Sequence, residues 1–244
     1  MCTNIVNGEC NVQFLFNSGF LIETKNNILI FDCCKKSRFI TDELLSTKKV
    51  TVFVSHKHSD HFNPIIYDWS KRHSIQYVVH EDVDKHQGNK VHTVQPDQHF
   101  CLEDISIKTL GSTDCGVSFL VEVDGVTLFH SGDLNWWKWE KDSREIQAKE
   151  EADYKKELKK LSNKKIDIAF IPVDPRLGEF YHLAVQYFAK NITVSTIFPM
   201  HFTQSPKEVE SLAKKWGKYN LKPKFIPLLK EGDSVRWIRE SPCK

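Results

Sequence analysis

The stretch SHKHSDHF, residues 55–62, places His56, His58, Asp60 and His61 within six positions. It follows the apolar run VTVFV, so the four side chains stand where a buried strand stops. His56 and His58 are two residues apart, and in extended chain they project to the same side. Asp60 and His61 follow where the chain curls back, able to address a second position beside the first. Imidazole and carboxylate donors at this density suit Zn²⁺, Fe²⁺ or Mn²⁺ better than Ca²⁺. A solvated loop explains one histidine; three with an aspartate point to a metal.

The elements that must position this loop follow from hydrophobic period and turn chemistry. NVQFLF (11–16), FLIET (20–24) and ILIFD (28–32) read as strands separated by Asn-Ser-Gly and Lys-Asn-Asn turns. A short helix is expected over 41–46, then a strand over 50–55 that is apolar enough to be covered on both faces. Pro64 suits a helix start, with Ile65, Ile66 and Trp69 as its apolar stripe. Strands are expected at 75–80, 90–94, 105–110, 117–123 and 126–131, the last two joined through Asp124-Gly125, a strong hairpin signal. Residues 141–165, rich in Lys, Glu and Ala without Gly or Pro, read as a solvated helix. Beyond it, strands at 166–173, 195–200, 224–227 and 234–238 alternate with helices near 180–190 and 206–217. No Pro-, Gly- or Ser-rich linker divides residues 1–244, so a single domain is expected, an α/β (α+β) arrangement of two packed sheets with helices outside.

Bulk properties remove several classes. Lysine and arginine number 34 against 32 acidic residues, too balanced for nonspecific nucleic-acid binding. No secretory pattern opens the chain and no apolar run approaches the roughly 20 residues that span a bilayer. The seven cysteines lack CxxC spacing, as expected of free thiols in a cytoplasmic protein.

HKHSDH resembles the HxHxDH signature of the metallo-β-lactamase superfamily, and later landmarks fall in that family's order: Asp32 in ILIFDCC, Asp133 in FHSGDLN and His201 in FPMHF. The resemblance runs from the first strand past residue 201. It implies a four-layer αββα sandwich and two divalent metal ions, Zn²⁺ foremost with Mn²⁺ or Fe²⁺ as alternatives. It further implies His56, His58 and a third ligand on one metal, Asp60, His61 and His201 on the other, and Asp133 bridging. The family's histidine before the hairpin is missing; aligning Gly116 puts Thr113 in its place. Asp114 is the favoured substitute ligand, with Cys115 or a plain Ser-Thr-Asp turn as the other readings. Asp32 reads as a partner that fixes a ligand histidine's tautomer.

By the same resemblance, the activity is that of a metal-dependent hydrolase using a metal-bridged hydroxide on a small anionic ester, lactone or phosphoester. Asp60 would also orient the hydroxide, and His182 could donate a proton or simply begin a helix. Trp136, Trp137 and Trp139 either wall the substrate pocket or anchor the charged helix. Arg176 either clamps an anionic substrate group, with Asp174 behind it, or makes a structural pair. The chain is similar to compact bacterial hydrolases that include sugar-phosphate lactonases. A phosphodiesterase resembling ribonucleases Z and J is the alternative, set back by the short length and balanced charge. A non-catalytic metal-binding or redox-sensing protein is the other.

Overall fold

A computed structural model describes residues 5–84, 90–202 and 205–239. Two seven-stranded sheets make up its centre. The first is built from β1 (Glu9–Phe16), β2 (Gly19–Glu23), β3 (Asn27–Phe31), β4 (Lys49–Val54), β5 (Ile75–His80) and β6 (Lys90–Val94) in chain order, with β14 (Ser234–Ile238) beside β1. The second runs β7 (His99–Leu102), β8 (Ile105–Leu110), β9 (Ser118–Val123), β10 (Val126–His130), β11 (Lys165–Pro172), β12 (Thr193–Met200) and β13 (Lys224–Phe225). Each sheet changes from antiparallel to parallel pairing part-way, at β3 in the first and β10 in the second.

The central parallel strands β3 and β4 are largely apolar because both of their faces are covered. In β3, Leu29 and Phe31 join the core between the sheets, while Ile28 and Ile30 face outward into a second cluster. That outer cluster is closed by Leu45 of α1 (Asp42–Leu45) and by Ile66 and Tyr67 of a 3₁₀ segment, Pro64–Lys71. On the second sheet, α2 (Arg144–Lys159), α3 (Leu183–Asn191) and α4 (Pro206–Lys215) bury Tyr154 and Leu158, Ala184 and Phe188, and Val209 and Leu212 respectively. The layers are therefore helix, sheet, sheet, helix. Between the sheets lie Phe20, Phe31, Phe119, Phe170 and Phe198, with Phe20 and Phe170 centroids 4.4 Å apart.

The expected elements form, with three differences. The segment after Pro64 is 3₁₀ rather than α, capped by Asn63 accepting from the Ile65 N–H. The charged helix is shorter than its composition suggested at both ends: Ser143 caps its start by accepting from the Ile146 N–H, and past Lys159 the chain turns into β11 at Lys165. The edge strand β7, HFCL, has no clean alternation and was not expected. The Asp124-Gly125 hairpin is present, with φ of 46° and 74° at those residues, the signature of a two-residue primed turn.

Two glycines let the sheets meet at the functional rim. A Cβ on Gly116, whose φ is 77°, would lie 2.1 Å from the Ser55 carbonyl oxygen and 2.6 Å from the His56 Cβ. Gly132, φ 53°, would collide with the Val117 carbonyl and the Ser55 side chain. The Val117 N–H donates to the Ser55 carbonyl at 3.1 Å, tying one sheet's loop to the other's strand end.

Candidate metal centre

The chemistry-bearing residues lie just past the carboxyl ends of parallel strands, where open α/β sheets place ligands. Asp32 follows β3 and the histidine loop follows β4; Asp133, Asp174 and His201 follow β10, β11 and β12. Asp32 and His201 both have left-handed backbones, φ 41° and 62°, as the chain turns sharply out of the sheet.

Asp32 is fully buried and takes three hydrogen bonds: from the Ser55 N–H at 2.8 Å, the Ser55 hydroxyl at 2.7 Å and His61 Nδ1 at 2.7 Å. With its proton given to Asp32, the Ser55 Oγ is left to accept from His56 Nδ1 at 3.0 Å. One carboxylate thus sets two tautomers, leaving Nε2 of both His56 and His61 free to face the site. Asp174 does the same for His201, accepting from its Nδ1 at 3.1 Å.

The freed atoms converge. His61 Nε2 lies 3.1 Å from Asp133 Oδ1 and 3.5 Å from Asp60 Oδ2; His201 Nε2 lies 3.3 Å from Asp60 Oδ2 and 3.5 Å from Asp133 Oδ1. His56 Nε2 lies 3.5 Å from Asp133 Oδ2 and 3.0 Å from His58 Nδ1. Three sets of ligand atoms fall within 4.8 Å of one another: His56, His61 and Asp133; Asp60, His61 and His201; and His58, Asp114 and Cys115. Asp114 stands beside His58, with the Cys115 thiol 3.7 Å from its carboxylate.

Buried Nε2 of His61, Nε2 of His201 and Oδ1 of Asp133 have no hydrogen-bond partner. Unpartnered buried polar atoms are costly, and three aimed at one point fit a divalent cation that would satisfy them all. The electrostatics agree. Burial pushes the His61 imidazole down, but the flanking Asp133 and Asp32 carboxylates outweigh it and raise its pKa well above the usual value. His201 is likewise penalised by burial, yet Asp174 and Asp60 raise it to about 9. The His201 imidazole beside it pulls Asp60 far below the carboxylate range, and the neighbouring histidines hold Asp133 there too, against the upward push of burial. His56 is lowered by burial and by His61.

Above this cluster opens a cavity of about 390 Å³, walled by Trp137, Trp139, Glu150 and Arg176. A second, of about 360 Å³, shares Asp60, Arg176 and His201 with it and is otherwise lined by Phe16, Asn17, Asp174, Pro175 and Phe202. Trp137 donates its indole N–H to the Asp133 carbonyl at 3.2 Å and stacks on Trp139, centroids 6.1 Å apart. Arg176 faces both cavities while holding Asp174, from its Nε at 2.9 and 3.0 Å.

Two expected residues lie elsewhere. Trp136 is not in the cavity wall; it packs on Tyr154 and Tyr187, anchoring α2 against α3, the anchoring role that the tryptophan run left open. His182 is absent from both cavity linings and sits at the start of α3 without a side-chain capping bond, where burial lowers its pKa. Thr113, in the family histidine's place, instead pins the loop after β10, donating to the Asn135 carbonyl at 2.6 Å and accepting from its N–H.

Sequence reading passed over several contributors. Asn17, taken as a turn residue, donates to Asp60 Oδ2 at 3.1 Å and offers its carbonyl to the His201 N–H. His130, which has no ligand spacing in the sequence, is fully buried; its Nε2 donates to the Ser18 carbonyl and its Nδ1 accepts from the Gly132 N–H, holding the approach to Asp133. Glu150, within the charged helix, reaches the cavity, and burial raises its carboxyl above the ordinary value. His86, which likewise has no ligand spacing in the sequence, lies outside the described residues.

No protein-family model and no curated protein matches the chain by sequence. Solved structures do match. Igni18, a metallo hydrolase from Ignicoccus hospitalis, is 14% identical over 95% of this chain and 100% of its own, with a TM-score of 0.67. YhfI from Bacillus subtilis, a metallo-beta-lactamase fold protein, is 14% identical over 94% of this chain and 100% of its own, TM-score 0.66. CmlA from Streptomyces venezuelae, a diiron beta-hydroxylase, is 8% identical over 97% of this chain and 55% of its own, TM-score 0.60. The chain has the metallo-β-lactamase fold, and it carries that fold's HxHxDH loop at the rim where both sheets end.

Proposed function

We propose that the protein is a metal-dependent hydrolase that binds two divalent cations, with Zn²⁺ as the leading metal, and acts on a small ester, lactone or phosphoester. The observation that carries this reading is the convergence of unpartnered His61, His201 and Asp133 atoms beneath an open cavity. His56, His58 and Asp114 would hold one cation, Asp60, His61 and His201 the other, with Asp133 between them. When bound, such cations lower the pKa of water and stabilise negative charge developing on an attacked carbonyl or phosphoryl oxygen.

The protein's own residues supply the rest. Asp32 and Asp174 keep Nδ1 of His61 and His201 protonated, so that Nε2 presents a lone pair to the centre. Asp60, held by Asn17, is placed to accept a proton from the attacking water. Trp137 and Trp139 shield one side of the cavity from solvent, and Arg176 can reach an anionic group without leaving Asp174. A cavity of about 390 Å³ suits a small molecule. The described cysteines are all free, which suits a reducing compartment such as the cytoplasm. No helix among the described residues is long and apolar enough to cross a membrane.

The test combines metal analysis with a panel of phosphoesters, lactones and carboxylic esters. Close to two metals per chain, and turnover abolished in Asp133→Asn, are expected. Full metal occupancy with no turnover on any member would overturn the hydrolase reading. The Cys115 thiol beside His58 and Asp114 favours a second reading, a redox-sensing metal protein. That reading predicts metal release on mild oxidation, abolished in Cys115→Ser.

A further inference from the structure

Helix α2 is a solvated, highly charged helix, and several of its charges are matched along its own surface: Lys149 with Asp153, Lys155 with Glu151, and Glu157 with Lys160. Glu150 differs. Its carboxylate faces the cavity over the candidate metal centre, and its Oε2 is buried without a hydrogen-bond partner. It belongs to none of the clusters of three converging ligand atoms among the described residues, so it addresses the cavity's contents rather than a metal. The one basic lysine or arginine side chain in that cavity's lining, Arg176, already holds the Asp174 carboxylate. Lys149 draws on the same carboxylate but is itself paired with Asp153, so the buried oxygen keeps no hydrogen-bond donor, which is unfavourable unless the cavity's occupant supplies one.

The neighbouring wall has matching chemistry. Trp137 and Trp139 lie nearly parallel, 5° apart, and both line the same cavity. Indole faces attract cations through the ring quadrupole, most strongly where water is excluded.

We propose that Glu150, with Trp137 and Trp139, forms a subsite for an alkylammonium group of the substrate. The inference rests on reading the cavity as the hydrolase's substrate site and adds to it: the preferred ester, lactone or phosphoester carries a cationic arm. Arg176, on another side of the cavity, remains available to an anionic portion of the same molecule.

The probe is choline, compared with its uncharged carbon isostere 3,3-dimethyl-1-butanol, titrated into metal-loaded protein by calorimetry and tryptophan fluorescence. Choline should bind saturably, and the isostere at least about ten-fold more weakly. Glu150→Gln should weaken choline by about ten-fold or more and leave the isostere unchanged, with a melting temperature equal to or above that of the parent. Trp139→Ala should weaken choline as well. Equal binding of choline and the isostere, or unchanged choline affinity in Glu150→Gln, would overturn the subsite. Two bound metals without choline binding would remove the subsite and leave the hydrolase reading intact. Choline binding by protein that takes up no metal would support the subsite and remove the hydrolase reading.

Discussion

Replacing Asp32 by Asn should cripple metal binding although Asp32 touches no metal position. The carboxylate accepts from the Ser55 N–H, the Ser55 hydroxyl and His61 Nδ1. An amide offers one acceptor oxygen. If that oxygen keeps the Ser55 N–H, the NH₂ group faces Ser55 Oγ and His61 Nδ1, both of which must then accept. His61 moves its proton to Nε2, and Ser55 turns its hydroxyl toward His56 Nδ1, which drives the same change there. Two nitrogens aimed at the centre would become N–H donors. Loss of a single such supporting partner weakens metal affinity by about 10- to 100-fold. With two imidazoles affected, the upper end is expected, about 100-fold or ~2.8 kcal/mol. Competition with a chelator of known affinity reads the loss, and long-range ¹H–¹⁵N correlation of the histidine rings reads the tautomers directly. Wild-type affinity in Asp32→Asn, or a His61 ring that still carries its proton on Nδ1, would refute the reasoning.

Other perturbations test other parts of the structure. Gly116→Ala forces a Cβ to within 2.1 Å of the Ser55 carbonyl at a left-handed backbone position, so a loss of about 3 kcal/mol or more is expected in denaturant titration; a shift below about 1 kcal/mol would show that the two loops separate freely. Trp136→Leu should lower the melting temperature by loosening α2 and leave metal content at the parent level, whereas Trp137→Leu, beside His201, should alter catalysis with metal retained. Asp124 accepts from Thr24 Oγ1, the Asn26 N–H and amide, and the Asn27 amide, which outweigh burial and lower its pKa. A carboxyl depressed in the folded state contributes stability above its unfolded pKa, and this is lost as pH falls through the folded value. Asp124→Ala should therefore cost about 2 kcal/mol near neutrality and progressively less below pH ~4; a constant difference across that range would contradict the assignment.

The histidine loop was legible because its information is local: period-two spacing and an abrupt strand end suffice to show that His56 and His58 share a direction. Parallel strands were legible from unbroken apolar runs such as VTVFV. What sequence could not show were contacts between residues far apart in the chain. Asn17 reaches Asp60 across 43 positions and His130 reaches Ser18 across 112. Nothing in a Lys/Glu-rich helix distinguishes Glu150, which turns toward the cavity, from Glu151, which pairs with Lys155 at the surface. The tryptophan run illustrates the same limit. Composition announced an unusual loop, but only packing separates Trp136, on the tyrosines of the helical layer, from Trp137, beside His201. Edge strand β7 escaped notice because a half-exposed edge imposes little pattern.

The division of the site between two sheets has a consequence for the order of synthesis. His56, His58, Asp60 and His61 leave the ribosome as part of the first sheet, whereas Asp133 and His201 belong to the second, and His201 is made last. Until β12 docks beside β11, a nascent chain can offer the histidine loop but not a complete set of donors. A cation captured afterwards favours only the finished arrangement, because it binds the folded form and not the partial one. Metal uptake would then act as a late ratchet, discriminating chains whose two halves have come together from those that have not.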